Sequence, residues 1–283
     1  MPKITKRFDP RQTMNGDTFE ISHYLDIKTR HLDAHYHDFY EIFCFIDGNV
    51  DYWVDGRLYH LQPGDIFLIH PTELHKPIPR AETEQYERIV LWIDKTFLSG
   101  IDGGILERCF DTTLPTYRKV LRLVPHERNT VLALAQTLAE EFNNDAFGSA
   151  ACTYGLLLQF MTQINRIALA RSTDSNEPYS TSTFVSDVLA YIQKHYQEPL
   201  SLDSLATHFF VSKYHLSHEF KKSVGTGVHR YITLKRLAVA YELLADGIPP
   251  NQASAMCGFG DYTNFFRAFK AQYGASPAAF YKP

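Results

Sequence analysis

The sequence has few cysteines, the residue on which domains stabilised by disulfides or by zinc depend. Four cysteines occur among 283 residues, and no two form a Cys-x-x-Cys pair. This spacing favours neither a disulfide framework nor a cysteine zinc finger. The sequence also lacks an apolar run of about 18 residues, and its first ten residues lack the apolar core of a signal peptide. We therefore expect a cytoplasmic protein that does not interact with membranes.

Basic residues are fewer than acidic ones, at 28 against 32, and they are unevenly distributed along the chain. Residues 1–182 hold 18 Lys and Arg against 25 Asp and Glu, whereas residues 183–283 hold 10 against 7. The hydrophobic content of 45% is that of a globular protein, and the length exceeds that of a usual single domain. We expect two domains, of which the C-terminal one is the better suited to face phosphate groups.

The first part of the chain has the pattern of an all-β domain. Short strand-like runs are predicted at Phe19–Ile27, Phe39–Ile46, Val50–Val54, Leu58–Leu61, Ile66–Ile69 and Tyr86–Ile93. Turn residues separate them at Asp47-Gly48, Asp55-Gly56, Pro63-Gly64-Asp65 and Pro77–Pro79. No helical period interrupts these runs, so a β-barrel or sandwich is predicted.

The middle of the chain changes period. Apolar residues recur every three or four positions in residues 131–142 and again in residues 156–164, which predicts two amphipathic helices. Residues 172–183 are polar and contain a proline, and are predicted to be a linker. The predicted division is therefore an N-terminal arm (1–17), a β domain with two helices (18–171), the linker, and a helical domain (184–283).

The last hundred residues are predicted to be helical throughout. Ser201 and Ser212 are placed to cap two short helices with helix-turn-helix spacing, and a long amphipathic helix follows. Further on, Gly258 is expected to take a positive φ in a turn, Asp261 to cap the next helix and Gly274 to end it.

The stretch from Gly258 to Pro277 carries the clearest resemblance. Its sequence, Gly-Phe-Gly-Asp-Tyr-Thr-Asn-Phe-Phe-Arg-Ala-Phe-Lys-Ala-Gln-Tyr-Gly-Ala-Ser-Pro, resembles the signature of the AraC family of bacterial transcription regulators. The resemblance extends over Phe184–Pro283 and, less closely, over His35–Pro79. The chain departs from the family pattern at residues 253 and 254. The family usually has Ile and Ala at these positions, whereas this chain has Ala253 and Ser254.

The resemblance implies an all-α domain with two helix-turn-helix motifs that bind double-stranded DNA. Outward positions on the two recognition helices are the expected DNA contacts: Lys213, Tyr214, Ser217, His218 and Lys221 in the first, and Tyr262, Thr263, Phe266 and Arg267 in the second.

A second group of residues with a family resemblance lies in the β domain. The spacing His35-x-His37-x-x-x-Glu41 resembles the first cupin motif, and Gly56, Pro63-Gly64-Asp65 and His75 resemble the second. In a strand, residues 35, 37 and 41 would point to one face, into a barrel. Aromatic walls for a small ligand are expected from Phe43 and Trp53.

Three interpretations of this set stay open. His35, His37, Glu41 and His75 are a chemically sensible ligand set for a divalent transition metal. The same four residues could instead hydrogen-bond a sugar-type effector without a metal, or they could serve packing alone.

The expected fold is therefore α+β and multidomain: a cupin-like β-barrel with two following helices, then the double helix-turn-helix domain. The resemblance implies a transcription regulator, most often an activator, that senses a small molecule such as a sugar or glycoside. It also implies a homodimer and RNA polymerase as a further partner, with no enzymatic activity. The alternatives are a cupin metalloenzyme with a DNA-binding tail, and a DNA-binding protein whose barrel only dimerises.

Overall fold

The computed structural model describes residues 13–27, 34–55, 57–71, 73–80, 85–170 and 183–281. Most of the predicted arm and linker, together with Gly56, lie outside these ranges. Within them, antiparallel sheets come first and helices follow, so the predicted α+β class is confirmed. Among the residues described, no helix combines the length and the apolar character needed to cross a lipid bilayer.

Two antiparallel sheets form the β domain. The described strands are β1 (Phe19–Ile27), β2 (Tyr40–Asp47), β3 (Val50–Val54), β4 (Arg57–His60), β5 (Ile66–Ile69), β6 (His75–Pro79), β7 (Gln85–Ile93) and β8 (Val120–Leu121). The larger sheet has the order β1-β7-β2-β5-β8, and the smaller one the order β4-β3-β6. Aromatic rings from the facing sheets meet between them, with the centroids of Phe43 and Tyr52 5.1 Å apart.

One predicted turn is wrong, because Pro77 and Pro79 belong to strand β6. Among the described strands, β6 pairs only with β3 and lies at the edge of its sheet, where a proline can be accommodated without loss of a ladder hydrogen bond. His35 also differs from its prediction. It lies outside β2 and forms an isolated bridge with His75, in which each backbone N–H donates to the other's carbonyl oxygen at 3.0 and 2.8 Å.

Side-chain alternation gives the larger sheet two different apolar faces. In β2, Ile42 and Cys44 face a helical layer, whereas Phe43 and Phe45 face the interior between the sheets. The helical layer consists of α1 (Lys95–Ser99), a 3-10 segment (Asp102–Phe110), α2 (Pro125–Phe142) and α3 (Ser149–Ala170). The two long amphipathic helices predicted from periodicity are thus confirmed, while α1 and the 3-10 segment were not predicted.

The smaller sheet is also covered on both sides. Tyr52 and Tyr59 face the barrel interior, whereas Trp53 and Leu58 join a core cluster with the helical domain. At this interface the hydroxyl groups of Tyr36 and Tyr273 lie 3.2 Å apart. The two domains therefore share one continuous hydrophobic cluster.

Polar contacts flank this interdomain cluster. The Tyr231 hydroxyl donates to Asp55 Oδ1 over 3.3 Å, and Lys95 Nζ lies 3.1 Å from Glu242 Oε1. Burial raises the pKa of Asp55 to about 6, against the opposing effect of the nearby Lys235 ammonium.

The helical domain contains α4 (Thr183–His195), α5 (Leu202–His208), α6 (Lys213–Val224), α7 (Val228–Ala245), α8 (Pro250–Met256), α9 (Tyr262–Tyr273) and α10 (Pro277–Phe280). The first half of α7 packs with α4, α5 and α6, and its second half packs with α8, α9 and α10. Two helix-turn-helix units thus share α7 as a connector.

The predicted capping residues are confirmed. Ser201, Ser212 and Asp261 each accept a hydrogen bond from the backbone N–H three residues later. Gly225 and Gly274 end α6 and α9 in the left-handed region.

Gly258 lies in a turn where both the backbone conformation and the surrounding space exclude a side chain. Its φ is 78°, and a Cβ placed on it would lie 2.3 Å from the carbonyl oxygen of Gln197. At Gly260, two residues later, such a Cβ would have none of the described residues within 4 Å. The turn between α8 and α9 therefore requires glycine at position 258 but not at position 260.

We expect Gly258→Ala to destabilise the helical domain by more than about 2 kcal/mol, because it adds backbone strain to a steric clash. Gly260→Ala is the matched control and should change stability by less than about 1 kcal/mol. Thermal unfolding followed by far-ultraviolet circular dichroism measures both. Equal losses in the two variants would contradict the assignment.

Candidate nucleic-acid interface and barrel site

Helix α6 presents one buried and one exposed face. Leu216, Phe220 and Val224 point into the core. On the opposite side, Tyr214 is 79% exposed and its ring stacks on that of His218 with centroids 5.9 Å apart. A surface depression of about 380 Å³ is lined by Tyr214, Ser217, His218, Lys221 and Lys222. Four of the five residues predicted from the sequence for this helix thus lie on one surface.

Lys213, the fifth, lies at the first turn of α6. Its Nζ is 2.8 Å from Oδ1 of Asp203 on α5, and both side chains are largely exposed. An exposed ion pair of this kind contributes little to stability, so the ammonium group can exchange its partner readily. Lys222 was not among the predicted contacts, although its position one residue after Lys221 lies on the same surface.

Helix α9, like α6, has one buried and one exposed face. Phe265 and Phe269 are buried, Tyr262, Thr263 and Arg267 are exposed, and Phe266 is half-buried. Arg267 donates from Nη2 to Oδ1 of Asn264 over 3.2 Å. Asn264 is exposed beside the predicted residues and was missed. Its spacing of three residues before Arg267 is the helical signal that could have identified it.

Arg236 has a structural role within the helical domain. Its guanidinium donates to the carbonyl oxygens of Tyr196 and Glu198, at 2.7 Å each. These bonds tie the connector α7 to the segment between α4 and α5. Burial lowers the pKa of Arg236, and the contacts orient the side chain toward the protein backbone.

In the barrel, three of the four predicted ligand residues come together. The candidate ligand atoms of His37, Glu41 and His75 all lie within 4.8 Å of one another, and all three residues are buried. Glu41 Oε2 is 3.1 Å from His37 Nε2 and accepts a hydrogen bond from Trp92 Nε1 over 2.8 Å. We refer to His37, Glu41 and His75 as the barrel triad.

Both histidines of the barrel triad are oriented by backbone carbonyl groups. His37 Nδ1 lies 2.9 Å from the oxygen of Phe39, and His75 Nδ1 lies 2.8 Å from that of Glu73. A carbonyl oxygen only accepts, so each Nδ1 carries the hydrogen and each Nε2 faces the site. Burial lowers the pKa of His75 well below its ordinary range, and the neighbouring rings of His35 and His37 add to this effect.

The remaining predicted barrel residues divide between two sides of the smaller sheet. The ring of His35 packs edge-on against that of His75, with centroids 4.4 Å apart, and Phe43 lies in the interior. Trp53 does not join them. Since Tyr52 points into the barrel, its neighbour points outward, and Trp53 packs in the interdomain cluster.

Two other histidines of the β domain make other contacts. His60 pairs with Asp51 at 2.6 Å, and His70 packs edge-on against Tyr40 with centroids 5.2 Å apart. Neither belongs to the barrel triad.

The barrel interior also holds a pair that the sequence did not indicate. Arg88 is buried, its Nη1 lies 2.7 Å from Oδ2 of Asp26, and its guanidinium lies over the ring of Tyr86 at 4.1 Å. Met14, in the last residues of the predicted arm, packs against the same interior cluster. Aromatic, cationic and anionic groups therefore meet in one largely apolar interior.

Comparisons with known proteins agree with this two-part organisation. A family model described as an AraC-like ligand binding domain matches residues 22–159, and one described as a helix-turn-helix domain matches residues 205–282. The HTH-type transcriptional activator RhaS of Salmonella schwarzengrund (strain CVM19633) is 22% identical over 247 residues, covering 86% of this chain and 85% of its own.

Two further similarities extend the comparison. The HTH-type transcriptional regulator YfiF of Bacillus subtilis (strain 168) is 26% identical over 271 residues, which cover 91% of this chain and 82% of that protein. Among solved structures, the C-terminal domain of AraT, a response regulator from Geobacillus stearothermophilus, is 32% identical. That similarity covers 36% of this chain and 86% of that domain, with a TM-score of 0.35.

Proposed function

Because the chain belongs to the AraC family of transcription regulators, we propose that it binds promoter DNA through α6 and α9 under the control of a small molecule held in the barrel. The observation that carries this proposal is the pair of exposed faces on α6 and α9, each opposite a buried apolar stripe. The two helices flank one connector, α7, and so can enter successive major grooves about 34 Å apart.

The two faces differ in their chemistry. On α6, Tyr214, Ser217 and His218 offer hydroxyl and imidazole groups, while Lys221 and Lys222 suit phosphates. On α9, Arg267 and Asn264 are the side-chain types that form bidentate bonds with guanine and adenine. We therefore propose that α9 contributes more of the direct base recognition and that α6 depends more on phosphate contacts and DNA shape.

Replacing Arg267 with alanine should weaken binding to the regulated promoter by roughly 1 to 3 kcal/mol if the guanidinium contacts a base. Arg166→Ala, which removes an exposed arginine from α3 in the β domain, is the control and should leave affinity unchanged. Fluorescence anisotropy with specific and random duplexes at one salt concentration measures the difference. An equal loss on both duplexes would make Arg267 a phosphate contact, and no loss on either would remove α9 from the interface.

The barrel is proposed to sense a ligand rather than to catalyse a reaction. Its interior combines aromatic rings, the Arg88–Asp26 pair and the barrel triad, a mixture that suits a polar ligand with an apolar face. Sugars and glycosides have this character, since hydroxyl groups need hydrogen-bond partners while the ring faces stack on aromatics. Activation in the cytoplasm, with RNA polymerase as a further partner, is proposed by analogy with the relative named as an activator.

We expect one compound from a panel of sugars, glycosides and sugar acids to raise the melting temperature of the full chain. A ligand at 100 times its Kd adds about 2.7 kcal/mol of stability. Phe43→Leu, which removes an interior ring, should weaken this shift, whereas Phe110→Leu, a like change in the core on the helical side of the sheet, should not. Equal shifts in both variants would place the ligand away from Phe43, and no shift in the wild type would favour a barrel that only dimerises.

Self-association is proposed to use the α2–α3 hairpin. Phe147, between these helices, is fully exposed, and Phe142 and Tyr154 are about 40% exposed on either side of it. An exposed aromatic group of this kind is a common feature of contacts between protein subunits.

We expect the protein to sediment as a dimer and Phe147→Ser to shift it toward the monomer, because the change removes the most exposed ring of this surface. Phe210→Ser, which alters a 96% exposed ring in the turn before α6, is the control and should leave the dimer intact. Sedimentation equilibrium measures both. A wild-type monomer, or a dimer unaffected by Phe147→Ser, would contradict this location.

A further inference from the structure

We propose that the barrel triad of His37, Glu41 and His75 binds one divalent first-row transition metal ion through His37 Nε2, His75 Nε2 and the Glu41 carboxylate. The inference deepens the proposed function, on which it rests, by assigning a metal to the sensing barrel. Resemblance to cupin motifs suggests four ligands, whereas the structure brings the candidate atoms of three residues within 4.8 Å of one another.

The first argument is the hydrogen-bonding state of His75. Its Nδ1 hydrogen is used by the carbonyl oxygen of Glu73, and its Nε2 is fully buried without a hydrogen-bond partner in the part of the chain that the structure describes. A buried acceptor that lacks a partner costs about 1 to 3 kcal/mol. A metal ion would use this lone pair, and the Nδ1 bond already fixes the ring in the tautomer that a metal requires.

The second argument is the contact between His37 and Glu41. With the His37 hydrogen on Nδ1, its Nε2 and the Glu41 Oε2 are two acceptors that face each other at 3.1 Å. A proton, on either His37 Nε2 or Glu41, or a metal ion must therefore lie between or beside them. A proton would satisfy this pair but would leave His75 Nε2 without a partner among the described residues, whereas one metal ion satisfies all three atoms.

The surroundings of the triad also suit a metal site. Trp92 Nε1–H holds the Glu41 carboxylate at 2.8 Å, and the rings of Phe39 and Tyr52 stack against His37 and His75. Outer groups of this kind orient the ligands and exclude water. Two imidazoles with one carboxylate are typical ligands of Fe(II), Mn, Co, Ni and Zn, and they leave coordination positions open. An oxygen atom of the effector could occupy such a position.

Two other histidines of the β domain make different contacts. His60 is paired with Asp51 and His70 packs edge-on against Tyr40, so neither is assigned as a ligand. His35 packs edge-on against the ring of His75 and is assigned to supporting that ring.

The test is metal content and spectrum, measured on the full chain without DNA. The protein is loaded separately with Mn(II), Fe(II), Co(II), Ni(II) and Zn(II) under anaerobic conditions, freed of unbound metal and analysed by mass spectrometry. We expect one equivalent of at least one of these metals, with visible ligand-field bands for the Co(II) form.

Variants locate the ion. Glu41→Gln and His75→Gln should each lower Co(II) affinity by about 100-fold or more, and Trp92→Phe by about tenfold, because it removes only a hydrogen bond to a ligand. His60→Gln is the control and should bind Co(II) as the wild type does. Glu41→Gln is nearly isosteric, so circular dichroism should show that the variant is folded.

Two results would overturn the proposal. One is the absence of stoichiometric binding of all five metals by the wild-type chain. The other is binding that survives Glu41→Gln and His75→Gln but is lost in His60→Gln, which would place the metal on the surface. Promoter binding of the same preparations separates this outcome from a failure of the proposed function, since the DNA contacts lie on α6 and α9.

Discussion

The smaller sheet, β4-β3-β6, is buried on both faces, and this constraint connects the two halves of the molecule. Successive residues of a strand point to opposite sides, so of two neighbours one can face the barrel interior while the other faces the helical domain. Tyr52 and Trp53 divide in this way, as do His75 and Lys76. A ligand in the barrel and the packing of the helical domain therefore depend on the same backbone segments.

Two segments, residues 35–37 and strand β6, contact both the barrel site and the helical domain. In residues 35–37 the two histidines face the site, while Tyr36 between them reaches Tyr273 at the end of α9. In β6, Lys76 is buried, and a Cβ placed on Gly225 would lie 2.8 Å from its Nζ. The ammonium group thus lies beside the C-terminal end of α6, where a positive charge is favourable. Residues adjacent in sequence to the proposed ligands contact both of the helices proposed to bind DNA.

Sequence patterns predicted most of this fold but not the direction of several side chains. Strands β1, β3 and β5 and the caps Ser201, Ser212 and Asp261 follow from local chemistry, and the structure confirms them. Strand β6 was missed because two prolines indicate a turn unless the strand is known to lie at an edge. The outward direction of Trp53 and the backbone contacts of Arg236 depend on residues far away in sequence, and no local pattern contains that information.

The energy needed for control through such an interface is small. A tenfold preference of a ligand for one arrangement of the domains corresponds to about 1.4 kcal/mol. Fully burying one large apolar side chain contributes about 1.5 to 3 kcal/mol, so a change in the packing of Trp53 or Leu58 alone is of the required size. Because the sheet is packed on both faces, its strands cannot adjust to a ligand on the inner face without altering contacts on the outer face. The proposed coupling thus requires no element beyond the sheet itself, and a rearrangement of one or two side chains would suffice to bias the position of α6 and α9.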